Sequence, residues 1–267
     1  MTYVAATGVL EAWVRVPTLS ATDVTALWLY YGGAPRAVLS TPTWRADLEA
    51  VWHLSEAGPE SDSTNHGHGL TGGGSLGVVP GIAGGARIYD GSGTLSGGDP
   101  SDGSLDFGAS SFSMSTWVRV SESRNDYDMP IFKGAAQAAL PGFCFLLGFG
   151  SWGVNFSDGT NEAGVVFGTE LDLLGSWVQL VVVVDRSVPE LRSYTNGALA
   201  QSSMLSLGSF DTSIPLEVGG PTEFRYAGLL DETRFYRRAV SADWIRAEYL
   251  NLARRSEFLL LGAEEAF

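Results

Sequence analysis

The sequence predicts an all-β fold: a jelly-roll sandwich of two antiparallel sheets with one short C-terminal helix. Three observations point there. The chain carries 34 glycines beside 8 Trp, 9 Tyr and 13 Phe, a mixture that suits many strands joined by tight turns. Its apolar stretches are short and end at turn residues. The run from Gly228 to Tyr249 holds a strand with an acidic pair near its start, then a break, then a helix opening at Ser241.

The elements follow in order. Residues 8–16 alternate imperfectly and read as a strand, with a turn over 17–23. Ala26–Tyr31 reads as a second strand ended by Gly32-Gly33, and residues 34–47 as a linker. Two strands cannot enclose a core, so this segment needs another sheet. Ala50–Leu54, Ala86–Asp90 and Ser104–Phe107 look like short strands. Phe112–Val120 alternates cleanly, with Phe112, Met114, Val118 and Val120 on one face and Trp117 and Arg119 on the other. Trp177–Asp185 is apolar on both faces, as a central strand is. Leu191–Tyr194 and Ala198–Gln201 flank Asn196-Gly197, the strongest hairpin signal in the chain. Leu216–Val218 and Leu229–Tyr236 supply further strands. Ser241 is a credible N-cap with Asp243 in the first turn, and Ile245, Tyr249 and Leu252 form the apolar stripe. Glu257–Leu261 reads as a final strand that pairs with the N-terminal segment. The units are therefore 1–44, a partial N-terminal β segment; 48–255, the sandwich; and 256–267, a C-terminal strand or tail.

Composition excludes several functions. Asp plus Glu number 30 against 16 for Lys plus Arg, a net charge of -14, and Lys133 is the one lysine. No basic patch is available to neutralise phosphates, so nucleic acid is not a partner. Cation binding, solubility or a high-salt habitat would each account for the acidity. No apolar run is long enough to span a membrane. The first residues, Met-Thr-Tyr-Val, lack the basic and apolar regions of a signal peptide. Cys144 lies in Phe143–Leu147 and reads as a buried apolar residue.

Five pieces, in order, carry a family resemblance: Val51–Leu54 with Asp62–Asn65, Phe112–Val120, Trp177–Asp185, Tyr194–Gly197, and Gly228–Tyr236 with its helix. Residues 48–252 resemble the laminin G-like family of the concanavalin A-like lectin/glucanase superfamily. The first 44 residues, through Leu10–Val16 and Leu27–Gly32, resemble the second half of a small bacterial β domain of unknown function (DUF2341-like). The resemblance implies a calcium site using Asp62 and Asp231, completed by loop carbonyls, with Asn65 and Gly67 contributing.

Carboxylates in a polar loop suit calcium on chemical grounds as well, and Glu56 joins Asp62 and Asp231 as a candidate ligand. In the competing reading Asp62 caps its own turn through an Asx bond, Asp231 faces water and Glu232 is a salt-bridging surface residue. His53, His66 and His68 invite a zinc site, but the strand setting of His53 and the glycine-flanked loop of the other two argue against it.

No convincing catalytic pair appears. Asp99 and Asp102 sit in a turn. Asp126 and Asp128 flank Tyr127 in a stretch that Pro130 marks as a loop. Asp231 and Glu232 are adjacent, hence on opposite faces of a regular strand. A sugar surface could draw on Trp152, Tyr127, Asn155, Asp158 and Asn161, all in turn-rich segments, whereas Trp13, Trp52, Trp117 and Trp177 read as strand-packing aromatics. The sequence therefore predicts a noncatalytic extracellular or cell-surface module for adhesion or recognition. Its ligand would be a glycan or a protein, with calcium as cofactor. The alternative is a structural subunit whose N-terminal strands meet a partner chain or a second copy.

Overall fold

The computed structural model describes residues 2–4, 9–20, 22–30, 42–74, 76–120, 127–135, 139–148, 150–169 and 174–263. Gly32-Gly33, most of the expected linker, Asp126 and the last four residues lie outside the described residues. The strands are β1 (Thr2–Val4), β2 (Val9–Glu11), β3 (Leu48–Trp52), β4 (Thr71–Gly73), β5 (Gly77–Pro80), β6 (Gly85–Asp90), β7 (Thr94–Gly98), β8 (Phe112–Arg119) and β9 (Asp128–Gly134). They continue as β10 (Gly142–Gly148), β11 (Ser151–Ser157), β12 (Glu162–Thr169), β13 (Val178–Asp185), β14 (Glu190–Thr195), β15 (Ala198–Met204), β16 (Leu216–Val218) and β17 (Ala227–Tyr236). The helices are α1 (Ala242–Ala253) and α2 (Arg255–Phe258).

Two antiparallel sheets form the sandwich. One runs β12-β11-β10-β9-β16-β7-β4 and the other β15-β14-β13-β8-β17-β6-β5. β17 is long enough to pair with β8 along one side and, along the other, with β6 through Ala227–Leu230 and β3 through Thr233–Tyr236. The core lies between the sheets. Phe112, Met114, Val118 and Val120 face Phe143, Phe145 and Phe156 there, as the alternation of 112–120 predicts. β13 is buried on both faces for a physical reason. Leu180, Val182 and Val184 enter this core, while Val181 and Val183 join Tyr194, Tyr236 and Ile245 of α1 in a second cluster. Full burial of each such side chain contributes about 1.5–3 kcal/mol.

Local signals account for the turns. Asn196 and Gly197 both take positive φ, 52° and 77°, the primed-turn geometry that matches strand twist. The Ser241 hydroxyl accepts from the Trp244 N–H at 3.2 Å, and Tyr249 stacks on Trp117 at 5.8 Å. Trp52 and Trp117 are buried; Trp177 is half-buried, just ahead of β13. Cys144 is buried, and burial pushes its thiol up to about 12.

Several expectations need correction. Residues 26–30 form no strand, and β2 pairs with β1 instead. Ser104–Phe107 lies among turns, where the Asp106 N–H donates to Gly103 O. Residues 255–258 are helical and 259–261 unpaired coil, so Glu257–Leu261 makes no final strand; the non-helical Arg254, at φ -134° and ψ 53°, separates this short helix from α1. Asp128 and Pro130 belong to a strand, not a loop. Pro130 falls where the β9–β10 register shifts, between Asp128↔Leu147 and Ile131↔Phe145, a place where a missing N–H is tolerated. Lys133, also on β9, is buried: its Nζ donates to Asp99 Oδ1 at 2.7 Å and to the carbonyls of Thr212 and Ile214, with Asp106 Oδ1 at 3.3 Å.

Candidate binding site on the 62–68 loop

The loop after β3 is tied down by one carboxylate. Asp62 Oδ1 accepts from the Val51 and Thr64 N–H groups. Its Oδ2 accepts from the Thr64 hydroxyl and from the N–H groups of Gly67 and His68. A carboxylate offers about four lone-pair sites, so five donors occupy Asp62 fully. The Asx reading of this residue describes what it does, and it has no oxygen left for an ion.

Asp231 lies elsewhere. Its Oδ2 accepts from Ile82 N–H at 2.7 Å and Ala83 N–H at 3.2 Å, holding the 81–84 turn rather than the 62–68 loop. Gly81 permits this approach, since a Cβ there would meet Asp231 Oδ2. Asp231 Oδ1 is buried without a hydrogen-bond partner. Burial, then the charge of Glu232, pushes the Asp231 carboxyl up to about 8. It does not face water. Glu232 is buried too: φ is 48° and the pairing with β8 shifts across Asp231–Arg234, so the two residues do not alternate as on a regular strand. Glu232 accepts from Arg234 at 2.6 Å and shares a 2.6 Å hydrogen bond with His53 Nδ1. Glu56 is exposed and accepts from Ser61. Asn65 is exposed on the loop. Asp62 and Asn65 share the loop, but Asp62 is filled by protein donors and Asp231 holds a different turn, so the residues present do not fit that ion.

A different group converges. Among the described residues, Glu49, His66 and His68 are the one set of three His, Cys, Asp or Glu side chains whose ligand atoms lie within 4.8 Å of one another. Glu49 projects from β3 and is buried; His68 Nε2 sits 2.9 Å from Glu49 Oε1, and Arg237 Nε donates to Glu49 Oε2. Burial pushes the Glu49 carboxyl up, but bonds from His68 and Arg237 outweigh it and hold it below the ordinary value. The His66 and His68 rings are parallel, 5.9 Å apart. His53 is separate, with its ring stacked on Trp13.

Beside this group a cleft of about 310 Å³ is lined by Arg15, Pro42, Trp44, Arg45, Ala46, Thr64, Asn65 and His66. Arg45 is held by Asp47 at 3.0 and 3.2 Å. Arg15 reaches Pro42 O at 3.4 Å. An indole, guanidinium groups, an amide and a hydroxyl therefore border one concavity.

The five residues proposed for sugar binding are not gathered. Trp152 is in the core at 0% exposure because β11 points it between the sheets, edge-on to Tyr226. Asn155 lies on the same strand, not in a turn, and donates to Ala135 O. Asp158 and Asn161 form the β11–β12 turn, where N–H groups of Gly208, Asn161 and Thr160 hold the Asp158 carboxyl at about 2. Tyr127 is exposed beside Phe224 at the opposite end of β9. Register separates the two ends by the six steps from Asp128 to Gly134, about 20 Å.

A concanavalin A-like lectin/glucanases superfamily model matches residues 90–246. The chain belongs to this superfamily. The match does not extend over the first 44 residues, so the small N-terminal domain gains no support. No curated protein matches the sequence. Solved superfamily-like folds include the binding domain of Paraclostridial Mosquitocidal Protein 1, with 16% identity and a TM-score of 0.63 over 77% of this chain and 52% of that one. The Botulinum Neurotoxin serotype G binding domain shares 14% identity at a TM-score of 0.61 over 78% and 51%. The binding domain of Botulinum Neurotoxin DC, solved in complex with SialylT, shares 12% at 0.61 over 78% and 52%. The chain spans about half the length of each. At these identities the likeness is one of fold.

Glu49, Trp44, Arg45 and Arg15 were not legible as site residues. The signal available was a carboxylate, Glu49, inside the otherwise apolar run Leu48–Trp52.

Proposed function

We propose that this chain is a noncatalytic recognition module of the extracellular or cell-surface kind. It binds a glycan or glycosylated receptor in the cleft formed by Arg15, Trp44, Arg45, Thr64, Asn65 and His66. The observation that carries this reading is the cleft itself: an aromatic ring beside planar hydrogen-bond donors, the combination that recognises a sugar ring and its hydroxyl or carboxylate groups. The superfamily membership and the fold shared with toxin binding domains are consistent with it. Calcium is not needed for this reading.

Binding of the full chain to immobilised acidic and neutral oligosaccharides tests the proposal. Saturable binding that Trp44→Ala and Arg15→Ala each weaken at least about tenfold supports it. Binding that neither substitution alters would place the ligand elsewhere.

A second reading, a subunit that meets another protein, is favoured by one observation. Val24, Leu27, Trp28 and Leu29 are 92, 55, 64 and 67% exposed, a run that association would cover. Light scattering at near-physiological salt decides it: a defined multimer supports the subunit reading and a monomer removes it.

A further inference from the structure

We propose that Glu49, His66 and His68 form a site for a divalent transition-metal ion of the zinc type. Two imidazoles and one carboxylate are the donor set such ions take when a further position is left to water or ligand. The donors come from two segments, each fixed without the ion. β3 sets Glu49, and Arg237 occupies its Oε2, so Oε1 is the oxygen presented to the histidines. The His68 backbone is held on both sides, its N–H by Asp62 at 3.0 Å and its carbonyl by the Trp52 indole at 2.6 Å.

The spacing suits an ion. His68 Nε2 and Glu49 Oε1 are 2.9 Å apart and share a proton. Ligand atoms of a tetrahedral ion with bonds of about 2.0–2.1 Å lie roughly 3.3 Å from one another. A few tenths of an ångström of movement in this pair therefore lets the metal take the place of that hydrogen at Nε2, the neutral imidazole then carrying its proton on Nδ1. His66 is exposed and completes the set within 4.8 Å, giving the ion a path from solvent. Arg237 acts as the outer partner that orients the ligating carboxylate. Imidazole nitrogen disfavours calcium and magnesium, which take oxygen.

The test uses untagged full chain stripped with chelator. Cobalt(II) is expected to bind with one equivalent and to show the visible bands of a four-coordinate ion. Saturating zinc is expected to raise the midpoint of thermal unfolding by roughly 5–10 °C. His66→Ala removes an exposed ligand and leaves the buried Glu49–Arg237 pair intact. It should keep the metal-free midpoint and lose both responses. His68→Ala should lose them too. Absence of the cobalt spectrum, an unchanged zinc response in His66→Ala, or a calcium response equal to that of zinc would overturn the proposal.

Discussion

The Trp13 indole stacks on the His53 imidazole, 5.3 Å away with 13° between the ring planes, and the Arg234 guanidinium sits 4.9 Å from the same indole. Through this contact the N-terminal segment covers a buried charge chain in which His53, Glu232, Arg234, Glu248 and Tyr236 are linked in order. Aromatic stacking and cation–π attraction of this kind each contribute about 0.5–1.5 kcal/mol. Trp13→Ala is therefore expected to lower unfolding stability by about 1–2 kcal/mol in urea titrations, while Trp13→Phe retains part of it.

Asp62 organises the loop that presents His66 and Asn65. Removing its charge weakens five hydrogen bonds at once, so Asp62→Asn should cost about 2–4 kcal/mol. Hydrogen exchange of the Gly67 and His68 amides should speed up in the variant. Because the carboxylate is filled by donors, added calcium should leave the unfolding midpoint of the wild-type chain unchanged.

The neutral form of Asp231 is favoured by the fold. Its carboxyl titrates near 8 in the folded chain against an ordinary value of 3.8. The folded state thus binds more protons than the unfolded one between these values. Stability from this group is full below pH of about 4, declines as pH rises, and is lost above about 8, by at most about 1.4 kcal/mol per pH unit. Asp231→Asn cannot ionise. The difference in stability between variant and wild type should therefore shift in favour of the variant from pH 5 to pH 8, by about 1 kcal/mol or more. Equal slopes for the two proteins would refute the assignment.

Much of the fold was legible because its local signals need no distant partner. Asn196-Gly197 sets a turn by φ alone, Ser241 caps by reaching three residues on, and Phe112–Val120 alternates with the pleat. β9 was hidden because Pro130 marks a loop unless the bulge that accommodates it is known. The Ala26–Tyr31 run has strand composition, yet β propensity is realised only against a neighbouring strand. The sites were less legible still. Glu49 reaches His68 across 19 residues and Arg237 across 188. Trp152 looked available for a sugar because its inward direction depends on the register of β11, which sequence spacing does not supply.

Lys133 is surrounded by two carboxylates and two carbonyls while itself buried. Lys133→Met would leave Asp99 and Asp106 facing each other without a cation. A loss of about 3–5 kcal/mol is expected in denaturant unfolding, and Asp99→Asn combined with Lys133→Met should recover part of it.

The same burial has a practical consequence. With its one side-chain amine enclosed, the folded chain withholds its lysine from reagents that seek primary amines. An amine-reactive dye should therefore spare Lys133 in the native protein, and its appearance on that residue would report that the sandwich has opened.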